Sequence, residues 1–242
     1  MDTLGLMGHQ GHRPRGGRYE VLFVYEDEDI VVVEKPEGLS VIAAEGSRTL
    51  SLYDIVTSHL QKTNPRGRAA VVHRLDRDSS GVMVFAKHAA AKKILMENWN
   101  DLVFERGYMA VAEGAFRERE GCFDSWLAEN RGGQVYTTKP GAPGALRALT
   151  DWKVESSSPR YSLLHLSLQT GRKHQIRAQL AGAGHPIAGD FRYGARTDPL
   201  GRVCLHASIL GLEQPFTHER FSFESPPPEG FGRLAEGREV KP

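Results

Sequence analysis

Three stretches of the 242-residue chain gather side chains suited to acid–base or ionic chemistry. The first, VVHRLDRDSSG (71–81), sets Asp76 between Arg74 and Arg77, with His73 and two serines nearby. A carboxylate that stays ionised in a partly buried cleft needs an opposite charge or hydrogen bonds beside it. In an extended segment Arg74 and Asp76 point the same way and Arg77 the other. The same composition also suits a surface turn whose local ion pair adds little. The second stretch, TGRKHQIR (170–177), holds Arg172, Lys173 and Arg177 around His174 and Gln175, with no acid. At a helix start this suits phosphate, and it equally suits a solvated helix end. The third, GHPIAGDFRYG (184–194), brackets His185, Asp190 and Tyr193 with glycines and a proline. It reads as loop architecture. No further ligand stands at a recognisable spacing, so no metal site is expected.

Other chemistries lack support. Ser79 and Ser80 carry no G-x-S-x-G elbow, and neither a P-loop nor a helix-opening GxGxxG is present. Cys122 and Cys204 are far apart, which gives no disulfide framework and no cysteine-based zinc site. The formal net charge is +1, so a nucleic-acid partner must be held by local clusters of charge. No apolar run has membrane-spanning length and no signal-peptide pattern opens the chain. A cytoplasmic protein with no membrane association is the expectation.

The elements that must position these stretches follow from periodicity. Residues 1–18 are rich in Gly, His and Arg without a period, and read as a flexible basic tail. VLFVYE (21–26) and DIVVVEK (29–35) read as strands joined by an acidic turn, with Pro36 and Gly38 ending the second. TLSLYDIVTSHL (49–60) reads as a helix capped by Ser47 or Thr49. QKTNPRGRAA (61–70) is a basic loop. VMVFAK (82–87) is a strand, HAAAKKILMENW (88–99) a helix, and ERGYMAVAEG (105–114) a strand. Residues 115–146 are irregular, with a hairpin or an insertion expected. Strands at 148–154 and 161–169, a helix at 172–184, and strands at 202–212 and 220–225 follow. Strands outnumber helices and come as hairpin neighbours. The fold class is therefore α+β, with a mixed, largely antiparallel central sheet and flanking helices and loops.

Taken together, HRLDRDSSGVMVFAK and TGRKHQIRAQLAGAGHPIAGDFRYG resemble the two signatures of the RluA-type pseudouridine synthases. DEDIVVVEKPEGLSV, RGYMAV and VCLHASILGL are weaker echoes in the family's order. The resemblance spans about Tyr19 to Phe231, and it implies a catalytic domain over 19–232 with a C-terminal tail over 233–242. It implies an isomerase that breaks the glycosidic bond of a uridine in structured tRNA or rRNA, turns the uracil and rejoins it through carbon 5, without cofactor or metal. Asp76 falls on the family's catalytic aspartate. Tyr108 falls on the tyrosine that packs against the base and is its leading candidate for removing the carbon-5 proton. Arg177 falls on the arginine that pairs with the aspartate, and Arg74 on the arginine that enters the RNA stack. His73 and His174 are expected beside the RNA, and Lys62, Arg66, Arg68, Arg172 and Lys173 at its phosphates. The family often has Lys where Arg106 stands, and many relatives carry a small N-terminal RNA-binding domain expected here to be absent. A monomer is expected. The competing reading is an RNA-binding protein on the same scaffold; a pure binder has no use for an acid facing phosphate.

Overall fold

The computed structural model describes residues 2–5, 19–238 and 240. In chain order the elements begin with strands β1 (Asp2–Gly5), β2 (Leu22–Glu26) and β3 (Ile30–Lys35), then helix α1 (Leu52–Leu60). Strands β4 (Ala70–Val71) and β5 (Ser80–Ala86) lead to helices α2 (Ala89–Glu97) and α3 (Trp99–Leu102). Strands β6 (Glu105–Glu113), β7 (Glu120–Glu129), β8 (Val135–Thr138), β9 (Leu146–Ser157) and β10 (Tyr161–Leu168) precede helix α4 (Gln175–Gly182) and a 3-10 turn at Phe191–Tyr193. Strands β11 (Leu205–Glu213) and β12 (Arg220–Glu224) and helix α5 (Gly230–Ala235) complete the order. The class is α+β, as expected.

Two compact units form. One comprises the described residues up to Arg106 together with Ala207–Pro227; the other comprises Gly107–His206 and the described residues from Pro228 on. In the first unit β2 pairs with β3, β3 and β4 pair with β5, and β11 pairs with β12, all antiparallel. The run Ile30–Val33 is buried on both faces, which explains its unbroken apolar sequence. Ile30, Val32, Val84, Leu95, Phe221 and Phe223 lie in the main core of this unit. In the second unit the antiparallel order is β6-β10-β9-β7-β8. Its core joins Ala110, Leu164 and Leu166 to Ile176, Leu180 and Phe231.

Several boundaries differ from the sequence reading for local reasons. The cap of α1 is Ser51, not Ser47 or Thr49: Ser51 and Asp54 form a reciprocal capping box. Ser47 and Thr49 hydrogen-bond to each other instead, at 2.6 Å. The helix expected over 88–99 breaks at Asn98 into α2 and α3. The irregular span 115–146 resolves into the hairpin β7–β8. The tail drawn from residue 233 cuts through α5, whose Phe231, Leu234 and Ala235 are buried in the second core. Of the N-terminal tail, Asp2–Gly5 pairs in parallel with Phe221–Glu224; residue 1 and residues 6–18 lie outside the described residues.

Candidate active site

Asp76 sits in a turn of the first unit, between the short strand β4 and the buried strand β5. Its own carbonyl accepts the N–H of Ser79 at 3.2 Å, which closes the turn DRDS. Leu75 is buried and Asp76 half-buried, while Arg74 and Arg77 are exposed. Arg77 turns outward and donates from Nε to Asp78 at 3.0 Å, a surface pair of little energetic weight.

The anchor of this turn is Lys35, the last residue of β3. Its side chain is fully buried, and its Nζ donates to the carbonyls of Pro36 at 2.8 Å, Leu39 at 2.8 Å and Arg77 at 3.0 Å. A buried ammonium is tolerable only where its donors are met. Here they are met by backbone oxygens, one of them next in sequence to Asp76. This anchoring role of Lys35 was missed by the sequence reading, although a lysine closing an otherwise buried strand, VVVEK, was the available signal.

On the other side of the turn, Gly81 opens β5 with φ +119°, a conformation L side chains rarely adopt. A Cβ there would stand 2.1 Å from the carbonyl oxygen of Ala207. The glycine of DRDSSG is therefore required by backbone approach.

His73 does not present a charge to phosphate. Its Nε2 accepts the N–H of Val84 at 3.0 Å, and its ring lies 4.7 Å from that of Trp99. Burial, reinforced by the Arg106 guanidinium, pushes its pKa down to about 3. Protonating Nε2 would also remove the Val84 acceptor, so the imidazole is neutral and holds β4 and β5 in register. Lys62, Arg66 and Arg68 are exposed on the loop after α1, shaped by Asn64 Oδ1 accepting the Arg66 N–H at 3.1 Å.

Tyr108 and Arg177 belong to the second unit. Tyr108, on β6 opposite Leu166, packs against the core cluster that includes Ile176 of α4. Helix α4 is buried over Gln175–Leu180 despite its polar sequence. Gln175 donates to the carbonyl of Leu149 and to Thr150 Oγ1, and Gln179 donates to the carbonyls of Phe123 and Ala148 and to Ser125 Oγ. This buried seat replaces the solvated helix start that composition allowed. His174 precedes the helix in the left-handed region, at φ 49°, and Arg172 and Lys173 are exposed beside it. Arg172 donates to the Arg147 carbonyl and Lys173 pairs with Glu129.

Arg177 is 4% exposed and forks onto Asp190, which is 1% exposed: Nε to Oδ2 at 2.7 Å and Nη2 to Oδ1 at 2.8 Å. The sequence reading assigned Asp190 to loop architecture and missed this pairing. His185, weighed there beside Asp190, hydrogen-bonds the Glu113 carbonyl through Nδ1 and stacks on Phe116. Among the described residues no group of three or more His, Cys, Asp or Glu is arranged to hold a metal ion.

The family model for RNA pseudouridylate synthase matches residues 29–182. RNA pseudouridine synthase YhcT of Bacillus subtilis is 37% identical over 223 residues, covering 91% of this chain and 72% of that protein. Ribosomal large subunit pseudouridine synthase D of Haemophilus influenzae is 33% identical over 225 residues, covering 87% and 68% respectively. The solved structure of human RNA pseudouridylate synthase domain containing 4 superposes with a TM-score of 0.72 over 87% of this chain and 90% of that one, at 23% identity, and shares the fold. The chain belongs to the RNA pseudouridine synthase family, and its RluA-type signatures agree with these relatives. It is thus an isomerase that acts on RNA.

Proposed function

We propose that this protein converts a uridine in structured RNA to pseudouridine with Asp76 as the catalytic carboxylate. Ribosomal RNA is the first substrate class to test and transfer RNA the second, because relatives named for the ribosomal large subunit are similar over most of the chain. The observation that carries the reading is the Asp76 turn: a half-buried acid whose backbone is fixed by Lys35 on one side and Gly81 on the other. A purely RNA-binding surface gains nothing from a rigidly mounted acid facing phosphate.

The reaction breaks the C1′–N1 bond of uridine and forms a C1′–C5 bond; the C5 proton leaves and N1 ends protonated. No electrons are gained or lost overall. Asp76 supplies the carboxylate at the reacting ring or ribose, and Arg177 holds it ionised and oriented. Tyr108 faces the extruded uracil and is our assignment for taking the C5 proton. Extrusion costs stacking energy, which Arg74 offsets by filling the gap. Lys62, Arg66, Arg68, Arg172 and Lys173 bind phosphates, and His174 lies beside them. We assign catalysis to residues 19–232 together, acting as a monomer in the cytoplasm. Among the described residues no helix is long and apolar enough to cross a membrane.

The test is a pseudouridine map of ribosomal and transfer RNA from a deletion strain, complemented with wild type or with Asp76→Asn. A site lost on deletion, restored by wild type and not by Asp76→Asn, is the expected result. Restoration by Asp76→Asn would leave only RNA binding.

A further inference from the structure

Asp190 and Tyr193 build a mount around Arg177 that the reaction as described leaves unexplained. A buried guanidinium requires a countercharge, and a two-point fork fixes its plane as well as its charge. The fork takes the Nε–H and one Nη–H, which leaves three of the five donors for other partners. The main chain that carries this carboxylate is itself pinned. The Asp190 N–H donates to Ile187, and its carbonyl accepts from Tyr193 and Ala195. Gly189 ahead of it has φ +81°, and a Cβ there would lie 1.9 Å from the Arg202 carbonyl oxygen. The loop that carries Asp190 therefore has one seat.

Tyr193 forms the floor. The Arg177 guanidinium carbon lies 4.9 Å from the centroid of its ring. Its hydroxyl accepts the Val135 N–H at 3.1 Å and stands 2.7 Å from Nδ1 of His174. One buried ring thus ties together the hairpin β7–β8, the residue before α4 and the arginine on α4.

We propose that Asp190 is a positioning residue of the isomerisation: it fixes the plane and charge of Arg177, the arginine given the task of holding the reacting carboxylate, with Tyr193 as the support beneath. This rests on the role given to Arg177 above. It goes beyond it by making turnover depend on an acid outside the arginine-flanked stretch around Asp76.

The experiment compares wild type, Asp190→Asn, Arg177→Gln and the double variant Arg177→Gln/Asp190→Asn. Single-turnover rate, RNA affinity by filter binding and thermal unfolding are measured for each. Asp190→Asn is expected to slow the rate by about a hundredfold, while the dissociation constant for RNA changes by less than about threefold. In the Arg177→Gln background the second substitution is expected to cost less than about twofold, because the residue acts through Arg177. The double variant buries no charge at this position, so it folds even where Asp190→Asn alone does not. Wild-type rate in Asp190→Asn, or a large further loss in the double variant, overturns the proposal. Neither result touches the assignment of Asp76, which fails only if Asp76→Asn turns over RNA.

Discussion

Lys35 Nζ lies 3.0 Å from the carbonyl oxygen of Arg77, so a lysine 42 positions away holds the backbone immediately after Asp76. Lys35→Met keeps the apolar stem and removes the ammonium. The carbonyls of Pro36, Leu39 and Arg77 then lose a charged donor, at about 1–3 kcal/mol for each left unmet. We expect a loss of about 3 kcal/mol by denaturant unfolding. The single-turnover rate should fall by about tenfold or more with little change in RNA affinity. A variant that unfolds earlier yet reacts at the wild-type rate would separate the anchor from the chemistry.

Gly81→Ala places a methyl group 2.1 Å from the Ala207 carbonyl oxygen at a backbone angle of +119°. The expected cost exceeds about 4 kcal/mol, enough to leave little folded protein. Circular dichroism and the soluble yield report it directly. Gly46, at φ +74° with nothing within 4 Å, is the control: the same change there should cost much less.

His73 sets a pH dependence with a definite sign. Its pKa is about 3 in the folded protein, against 6.5 as the ordinary value. The unfolded chain therefore takes up the proton first. The stabilisation is complete above about pH 6.5 and is lost as the pH falls toward 3. His73→Gln offers Val84 an acceptor that does not titrate. Between pH 7 and 4 its melting temperature should fall less than that of wild type, and parallel curves would place the acid loss in other groups.

The role proposed for the exposed loop cations predicts an effect on affinity. Alanine at Lys62, Arg66 or Arg68 should weaken binding to structured RNA of any sequence. Each substitution that removes a true phosphate contact should lower the slope of log affinity against log salt by about 0.7–0.9. Melting temperature should stay within about 2 °C, since all three side chains are exposed.

What could be read in advance followed periodicity. The buried run IVVVEK and the strands around Tyr108 and Leu166 were legible because alternation or unbroken apolarity marks a face. The turn around Asp76 was singled out by its residue types. Other things were less legible. The hairpin β7–β8 was expected only as an alternative to an insertion, because its strands carry polar residues on both faces, as in EGCFDSWLAE, and show no clean alternation. Helix α5 follows three prolines and contains two glycines, which masks a short helix held by Phe231 and Leu234. The pairing of Arg177 with Asp190 joins residues 13 apart across two turns, and spacing alone does not show it. The contacts of His73, with the Val84 N–H on its Nε2 and its ring 4.7 Å from that of Trp99, were not legible from its charged sequence neighbours.

Helix α4 carries a consequence for how the second unit assembles. An amphipathic helix with an oily stripe can slide along a sheet by a turn and lose little. This one is addressed to a single berth: Gln175, Arg177 and Gln179 each find their partners only where they now lie. A slip of one turn would strand a guanidinium and two amides in the interior together. Misassembly is thereby penalised along the helix that carries Arg177, so a folded second unit comes with its arginine already in place.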